Sequence, residues 1–117
     1  MSDNASRLAG IGTLALIACF ALLPQPWKGR MATFGMVHDC AHYAAFLAAC
    51  ILTTWRVRSI SVVARTAVMI LSFGILLEFA QTRVYGNRFE YLDVVADAGG
   101  VATGVLLHNL RDEWRGE

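Results

Sequence analysis

Ionisable and amide side chains interrupt an otherwise apolar sequence in three pairs, with an arginine before the last pair: Asp39 and His42, Glu78 and Gln81, Arg88, Asp93 and Asp97. Residues three or four positions apart lie on the same face of a helix, so the two members of each pair point in one direction. Carboxylates and an imidazole accept and donate hydrogen bonds or transfer protons, and a guanidinium pairs with phosphate or carboxylate. These residue types therefore predict a polar binding site.

Two kinds of catalysis stay open from the residues alone. His38 and His42 are four residues apart, a spacing at which two histidines can hold a metal ion, but spacing alone does not imply one. Glu78 could act as a general acid or base, or form a structural salt bridge with Arg88. Asp93 could simply cap the start of a helix. We therefore assign no metal, no cofactor and no catalytic residue.

The composition restricts the class of protein. The chain has 117 residues, which predicts a single domain over 1–117. Hydrophobic residues make up 56% and charged residues 16% of the chain, and mean hydropathy is +0.50. These values exclude a disordered chain and a coiled coil, and the net charge of +1 excludes a basic nucleic-acid-binding surface. The three cysteines lack paired spacing, and we expect Cys40 and Cys50 to be small buried residues.

The charged residues are concentrated between long uncharged segments. None occurs in 8–23, 40–55 or 66–77, and Asp97 is the only one in 94–110. A soluble helix carries charges on its water-facing side, whereas a membrane-spanning helix needs about 20 predominantly apolar residues. The sequence therefore predicts an all-α integral membrane bundle of four transmembrane helices, at about 6–23, 38–55, 63–82 and 91–110.

The distribution of basic residues predicts the orientation. With the N-terminus inside, six arginines lie on the cytoplasmic side, and three arginines and one lysine lie outside. This favours a multi-pass membrane protein with cytoplasmic termini. As an alternative, the segment 16–19, LIAC, fits a lipobox, but apolar residues continue to Leu23, so we expect no cleavage there.

This topology brings the candidate site residues to the outer face of the membrane. The start of the second helix, the end of the third and the start of the fourth all lie on that side. A charged side chain at the bilayer centre costs roughly 2.5–3.5 kcal/mol, so we expect the acids to face the bundle interior and to pair there. Gly100 and Gly104, one turn apart and deeper in the bundle, predict close helix packing.

The ordered set of motifs resembles the VanZ-like family of small bacterial membrane proteins. The segment 39–46, DCAHYAAF, resembles the family signature D-x-x-H-F/Y-x-x-F, and 78–81, EFAQ, resembles its E-x-x-Q. The stretch 88–104 resembles its arginine loop followed by D-x-x-x-N/D-x-x-G-x-x-x-G. The likeness covers roughly 38–104. Cys40 stands where the family often has lysine, and Asp97 where asparagine is common, so this cluster is more acidic than is typical.

The resemblance implies a location in the bacterial inner (cytoplasmic) membrane and a set of residues, but no reaction. The family's namesake is linked to resistance to the glycopeptide teicoplanin, and most relatives have no assigned activity. We expect a cell-envelope protein whose outer polar pocket binds a lipid or glycan headgroup, with a link to glycopeptide resistance. Expected partners are membrane lipids and a lipid-linked glycan or peptidoglycan precursor, and no nucleic acid. The alternatives are a membrane-embedded metal- or acid/base-dependent enzyme acting on a lipid-linked substrate, and a structural membrane assembly protein.

Overall fold

The computed structural model describes residues 3–21, 35–86, 89 and 91–116, which contain four helices. They are α1 (Asp3–Ala21), α2 (Gly35–Thr54), α3 (Ile60–Tyr85) and α4 (Tyr91–Gly116). No strand occurs among these residues, which confirms the all-α class. Each helix overlaps the segment predicted for it, although α3 and α4 run further.

The local sequence explains where α3 and α4 end. α3 ends at Tyr85, and the residue that caps it, Gly86, adopts the left-handed conformation with φ of 67° and donates its N–H to the Thr82 carbonyl at 3.0 Å. Glycine adopts this conformation without steric cost, so it stops the helix there. α4 continues past residue 110 to Gly116 because arginine and glutamate in this last segment favour helix.

α2 is the central helix and packs against the other three, most extensively against α4. α2 and α4 run parallel, because His42 meets Asp97 near their starts and Cys50 meets the Val101 carbonyl further along. α1 runs antiparallel to α2, since Ser6 near its start hydrogen-bonds to the Leu52 carbonyl near the end of α2. The order of helices thus alternates in direction, as a four-helix chain with short connections requires.

The apolar core lies along the middle of α2 and faces both α3 and α4. Its buried members come from these three helices: Phe46, Ala49, Cys50, Ala67, Ile70 and Val101. Phe46 and Ala49 continue the face of α2 that begins with His42, at intervals of three or four residues. The polar residues at one end of the bundle and the apolar core beneath them therefore share one continuous interface.

Two glycines of α4 let it approach α2 closely. A Cβ atom at Gly100 would lie 2.4 Å from the carbonyl oxygen of Tyr43, and one at Gly104 would lie 2.8 Å from the Cys50 sulfur. Neither position can hold a larger residue without moving a helix or a buried side chain. The close packing expected at these glycines is thus present between α4 and α2.

One helix is long and apolar enough to cross a membrane. Within α3, Ile60–Val84 has a mean hydropathy of 2.1 over its most apolar window, and 22% of that window is buried. Shorter apolar stretches occur in α1 (Asn4–Cys19) and α2 (Asp39–Thr54). Among the described residues, one helix is therefore a candidate membrane span, whereas the sequence predicts four.

Cys50 is fully buried, whereas Cys40 is exposed. The expectation that both cysteines are buried is therefore wrong for Cys40. The two residues are ten positions apart, so at 100° per residue they point in directions about 80° apart around α2. Cys50 faces α4, and Cys40 faces away from the core.

Candidate functional site

His42 of α2 lies between two carboxylates of α4. Its Nδ1 atom is 2.8 Å from Oδ1 of Asp97, and its Nε2 atom is 3.6 Å from Oδ2 of Asp93. The acids are one turn apart on α4, so both reach the same side of α2. The imidazole therefore has a carboxylate near each ring nitrogen, and the shorter contact is the hydrogen bond to Asp97.

Glu78 brings a third carboxylate to this group from α3. It is 5% exposed, and Asp93 and Asp97 are 4% and 3% exposed. All three carboxylates lie within electrostatic range of the imidazole. We call His42, Glu78, Asp93 and Asp97 the acidic cluster. Burying acids is costly unless they are hydrogen-bonded and paired, so their convergence from two helices onto one histidine is a specific arrangement.

Gly74 provides the space that Asp97 occupies. A Cβ atom at Gly74 would lie 2.8 Å from Oδ2 of Asp97 and 2.8 Å from the ring of Phe46. The Asp97 side chain thus contacts α3 through one carboxylate oxygen and His42 of α2 through the other. A single residue of α4 links three helices at the boundary between the cluster and the core.

A further hydrogen bond, from Tyr43 to Thr103, holds α2 and α4 in register beside the cluster. The hydroxyl of Thr103 donates to the Gly99 carbonyl at 2.8 Å, and the Tyr43 hydroxyl lies 2.6 Å from the Thr103 oxygen. Because the Thr103 proton is already used, Tyr43 is the donor in the second bond. This chain of hydrogen bonds fixes the helix turn that follows His42 against α4.

Aromatic rings join the end of α3 to the start of α4 at the same end of the bundle. The ring of Phe89 lies 5.0 Å from that of Phe79 and 5.0 Å from that of Tyr91, with tilted and edge-on geometry. Such arrangements are favourable between aromatic side chains. Phe89 is therefore held against the end of α3 and the start of α4, the helices that carry Glu78 and Asp93.

The remaining predicted site residues are placed differently. Gln81 follows Glu78 by one turn on α3 and is partly buried. Asp39 is also partly buried, but makes no hydrogen bond or ion pair with the other described residues. Arg88 and His38 cannot be placed, because Arg88 and the side chain of His38 lie outside the part of the chain that the structure describes. The structure thus brings together four of the predicted residues on three helices.

No group of three or more histidine, cysteine or acidic side chains is arranged to hold a metal ion within the described residues. The cluster that is present places its carboxylates around an imidazole. Carboxylates and a histidine ring in this arrangement offer hydrogen-bond acceptors to a ligand that carries hydroxyl or amine groups.

A second polar site, at the opposite end of the bundle, was not anticipated from the sequence. There His108 Nε2 lies 2.6 Å from the Val57 carbonyl, and Arg111 hydrogen-bonds to the Trp55 carbonyl. These carbonyls lie in the turn after α2, which ends at Thr54, so no helix hydrogen bond satisfies them and side chains of α4 do so instead. A histidine and an arginine three residues apart in α4 share one helix face, which is the sequence signal that these two side chains act together.

Comparisons of the chain with protein-family models, with curated proteins and with solved structures find no match.

Proposed function

We propose that this chain is a four-helix, VanZ-like protein of the bacterial inner membrane whose acidic cluster binds the polar headgroup of a lipid or lipid-linked glycan at the outer face. The observation that carries the proposal is the convergence of three buried carboxylates on one histidine at a single end of the bundle. Ionisable groups inside membrane proteins usually face the interior and mark functional pathways or sites.

The surface of α3 supports the membrane part of the proposal. Its large apolar side chains include Val68, Met69 and Leu76, which are 65%, 71% and 66% exposed. A soluble helix in water would bury such residues against its neighbours, whereas a lipid-facing helix exposes them. The apolar side chains of Leu8, Leu16 and Leu106 are similarly exposed on α1 and α4.

The hydroxyl groups on the helices also fit a lipid environment. Several donate to the carbonyl four residues earlier in their own helix: Thr13, Thr53, Thr54, Thr66, Ser72, Thr82 and Thr103. A hydroxyl without water nearby must find an acceptor within the protein, and this back-bonding supplies one. Thr66 and Ser72 do so on the surface-facing side of α3.

The chemistry of the cluster favours a ligand that donates hydrogen bonds. Carboxylates only accept, so glycan hydroxyls and a headgroup amine are the complementary groups. His42 is the accessible member, since its side chain is 24% exposed while those of Asp93 and Asp97 are 5% and 4% exposed. A headgroup would therefore contact the imidazole first, and the carboxylates behind it would orient the ring. Arg88 is proposed to engage a phosphate or carboxylate of the same ligand.

The test is ligand-induced stabilisation of the purified protein in detergent. We expect the undecaprenyl-linked peptidoglycan precursor or phosphatidylethanolamine to raise the melting temperature of the wild type, since a ligand that binds only the folded state stabilises it. Glu78→Gln should remove this increase, while Asp112→Asn, at the other end of the bundle, should retain it. An equal increase in both variants would contradict the proposal.

An enzyme acting on the same ligand is the second candidate, and the His42–Asp97 hydrogen bond is the observation in its favour. A buried carboxylate that orients a partly exposed histidine is the arrangement of a general base. Incubating the reconstituted protein with the lipid-linked precursor and measuring the lipid's mass separates the two functions. A time-dependent mass change that Asp97→Asn abolishes would indicate catalysis, whereas an unchanged lipid supports binding.

A purely structural role predicts a different result in cells. Glu78→Gln would then reduce the amount of protein in the membrane, with any change in glycopeptide sensitivity following that loss. A binding site predicts normal abundance with altered sensitivity. Measuring both quantities in the native host, with Asp112→Asn as the matched control, distinguishes these outcomes.

A further inference from the structure

Exposed arginines are concentrated at the end of the bundle opposite the acidic cluster. Ser6 hydrogen-bonds to the Leu52 carbonyl, so the start of α1 lies beside the end of α2. His108 hydrogen-bonds to the Val57 carbonyl, so the second half of α4 lies beside the turn that leads into α3. The exposed arginines of these segments are Arg7, Arg56, Arg58, Arg65 and Arg115.

Four of these arginines form no hydrogen bond or ion pair with the residues that the structure describes. We call these four the arginine band: Arg7, Arg58, Arg65 and Arg115. Arg111 is at the same end but differs from them, because it hydrogen-bonds to the Trp55 carbonyl and lies 3.3 Å from Asp112. The guanidinium groups of the band are therefore open to an anion, whereas that of Arg111 is already engaged.

This end of the chain has a net positive charge. The segments 1–7, 55–65 and 108–117 together contain six arginines and four acids. One of those acids, Asp112, already lies against Arg111. The three buried carboxylates of the acidic cluster lie at the other end and cannot pair with the band. The band is therefore electrostatically complementary to an anionic surface.

Two arginines of the band are flanked by exposed apolar side chains on their own helix face. Val62 and Met69, one turn before and one turn after Arg65 on α3, are 40% and 71% exposed. Ile11, one turn after Arg7 on α1, is 59% exposed. In a bilayer, a surface of this kind contacts lipid, and an arginine on it extends its guanidinium to the headgroup level. The anions available at that level are lipid phosphates.

Two exposed tryptophans mark the same level. Trp55 and Trp114 are 39% and 84% exposed, and tryptophan is enriched where a bilayer meets water. Arg58 follows Trp55 by three residues, and Arg115 follows Trp114 directly. The band therefore lies where the phosphates of a bilayer lie. A guanidinium binds such a phosphate through two parallel N–H donors.

We propose that the arginine band binds anionic phospholipids, whose phosphodiester gives the headgroup a net negative charge. The guanidinium groups donate to phosphate oxygens, and the acyl chains lie along the apolar surface beside them. A zwitterionic headgroup binds less strongly, because neighbouring arginines repel its ammonium group. The inference rests on the membrane location proposed above, but not on ligand binding by the acidic cluster.

The test measures lipid contact by electron spin resonance. The protein is reconstituted in phosphatidylcholine liposomes with a trace of spin-labelled lipid, and the motionally restricted fraction gives the relative association constant. At low salt, spin-labelled phosphatidylglycerol should associate about fivefold more strongly than phosphatidylcholine with the same label. In 1 M NaCl, where the screening length is about 3 Å, most of this preference should disappear. Equal association of the two lipids at low salt overturns the proposal.

Neutralising the band locates the effect. A variant that combines Arg7→Gln, Arg58→Gln, Arg65→Gln and Arg115→Gln should lose the preference for phosphatidylglycerol. Arg83→Gln, at an exposed arginine near the other end of α3, should retain it. Both leaflets contain the same lipids, so the result does not depend on the direction in which a variant inserts. Retention in the combined variant, or loss in Arg83→Gln, overturns the proposal.

Lysine at the same four positions separates charge from structure. This variant should keep most of the preference, because the positive charge is preserved, and helical circular dichroism checks that each variant is folded. Loss of the preference in the lysine variant as well would assign the effect to altered packing and overturn binding by the band.

A final arm separates a lipid from a soluble phosphate ester. Excess glycerol 3-phosphate should release no more spin-labelled phosphatidylglycerol than NaCl of equal ionic strength, because the acyl chains hold the lipid at the surface. Greater release would assign the band to a soluble ligand and overturn the lipid. A protein that does not float with the liposomes would contradict the membrane location, and this proposal with it. None of these measurements involves Glu78 or His42, so their failure is distinguishable from failure of headgroup binding at the acidic cluster.

Discussion

Nδ1 of His42 lies 2.8 Å from Oδ1 of Asp97, and this hydrogen bond joins α2 to α4 across 55 positions of the sequence. Asp97 is buried and His42 is partly exposed. The bond therefore has one end within the bundle and one end that a ligand can reach. A change at the site that breaks this hydrogen bond is therefore expected to weaken the packing of α2 against α4.

The energy of this bond can be measured with a double-mutant cycle. His42→Gln, Asp97→Asn and the double variant should give a coupling of about 1–2 kcal/mol in the free energy of unfolding, since a hydrogen bond to a charged group is involved. Unfolding in mixed micelles of dodecyl maltoside and SDS provides the measurement. Additive effects of the two substitutions would show that the bond contributes no stability.

Replacing each of three glycines by alanine should change the free energy of unfolding by different amounts. Gly100→Ala places a methyl group against backbone atoms of α2, Gly74→Ala places one against the Asp97 carboxylate and the Phe46 ring, and Gly12→Ala meets nothing within 4 Å. We expect Gly100→Ala to lower stability most, Gly74→Ala to lower it by about 1–3 kcal/mol, and Gly12→Ala to leave it unchanged or slightly higher.

The same micelle unfolding experiment measures all three glycine variants. Gly74→Ala has a second expected effect, because displacing Asp97 should also weaken its coupling to His42. A Gly74→Ala protein as stable as the Gly12→Ala protein, with that coupling intact, would mean that α3 does not pack against Asp97 as described.

Gly86→Ala tests the end of α3 separately from packing. A Cβ at this position meets no atom of the described residues within 4 Å, so the penalty expected from them is the left-handed backbone conformation at φ of 67°. We expect a loss of about 1–2 kcal/mol, and a smaller loss for Gly86→Asn, because asparagine tolerates this conformation better than alanine. Equal losses for the two variants in the unfolding experiment would exclude a conformational cause.

Cysteine labelling tests the proposed orientation. Cys40 is exposed near the start of α2 and Cys50 is buried. In a Cys19→Ser background, a membrane-impermeant maleimide added to intact spheroplasts should label Cys40 and leave Cys50 unmodified. A cysteine introduced at Ser59, at the opposite end, should react only after permeabilisation. Reaction of Ser59→Cys, but not Cys40, in intact cells would show the opposite orientation.

The helices and the convergence of the cluster could be predicted because both depend on periodicity. Uncharged stretches locate the four helices, and i, i+3 or i, i+4 spacing assigns Asp93 and Asp97 to one face of α4. Four alternating helices then place that face beside the start of α2 and the end of α3. The contact between His42 and Asp97 follows from these two rules together.

Other contacts depend on distances that the sequence does not encode locally. Gly74 leaves space for Asp97 only because α3 and α4 have one particular position along each other's length. A shift of one turn would place Leu71 or Glu78 there instead. The same is true of His108, which bonds to a carbonyl 51 positions away. The spacing places Asp39 on the same face of α2 as His42. Asp39 nevertheless makes no ion pair among the described residues, because α4 lies beside His42.

The parallel pairing of α2 with α4 has a consequence for synthesis of the chain. Glu78 emerges from the ribosome before either acid of α4 exists, and His42 before all three. The buried arrangement at the end of the bundle is therefore completed only when the last helix has been made and has packed against the others. In the membrane location proposed above, a ribosome stalled between α3 and α4 would leave the Glu78 carboxylate unshielded in the bilayer, where a quality-control protease can recognise an unfinished protein.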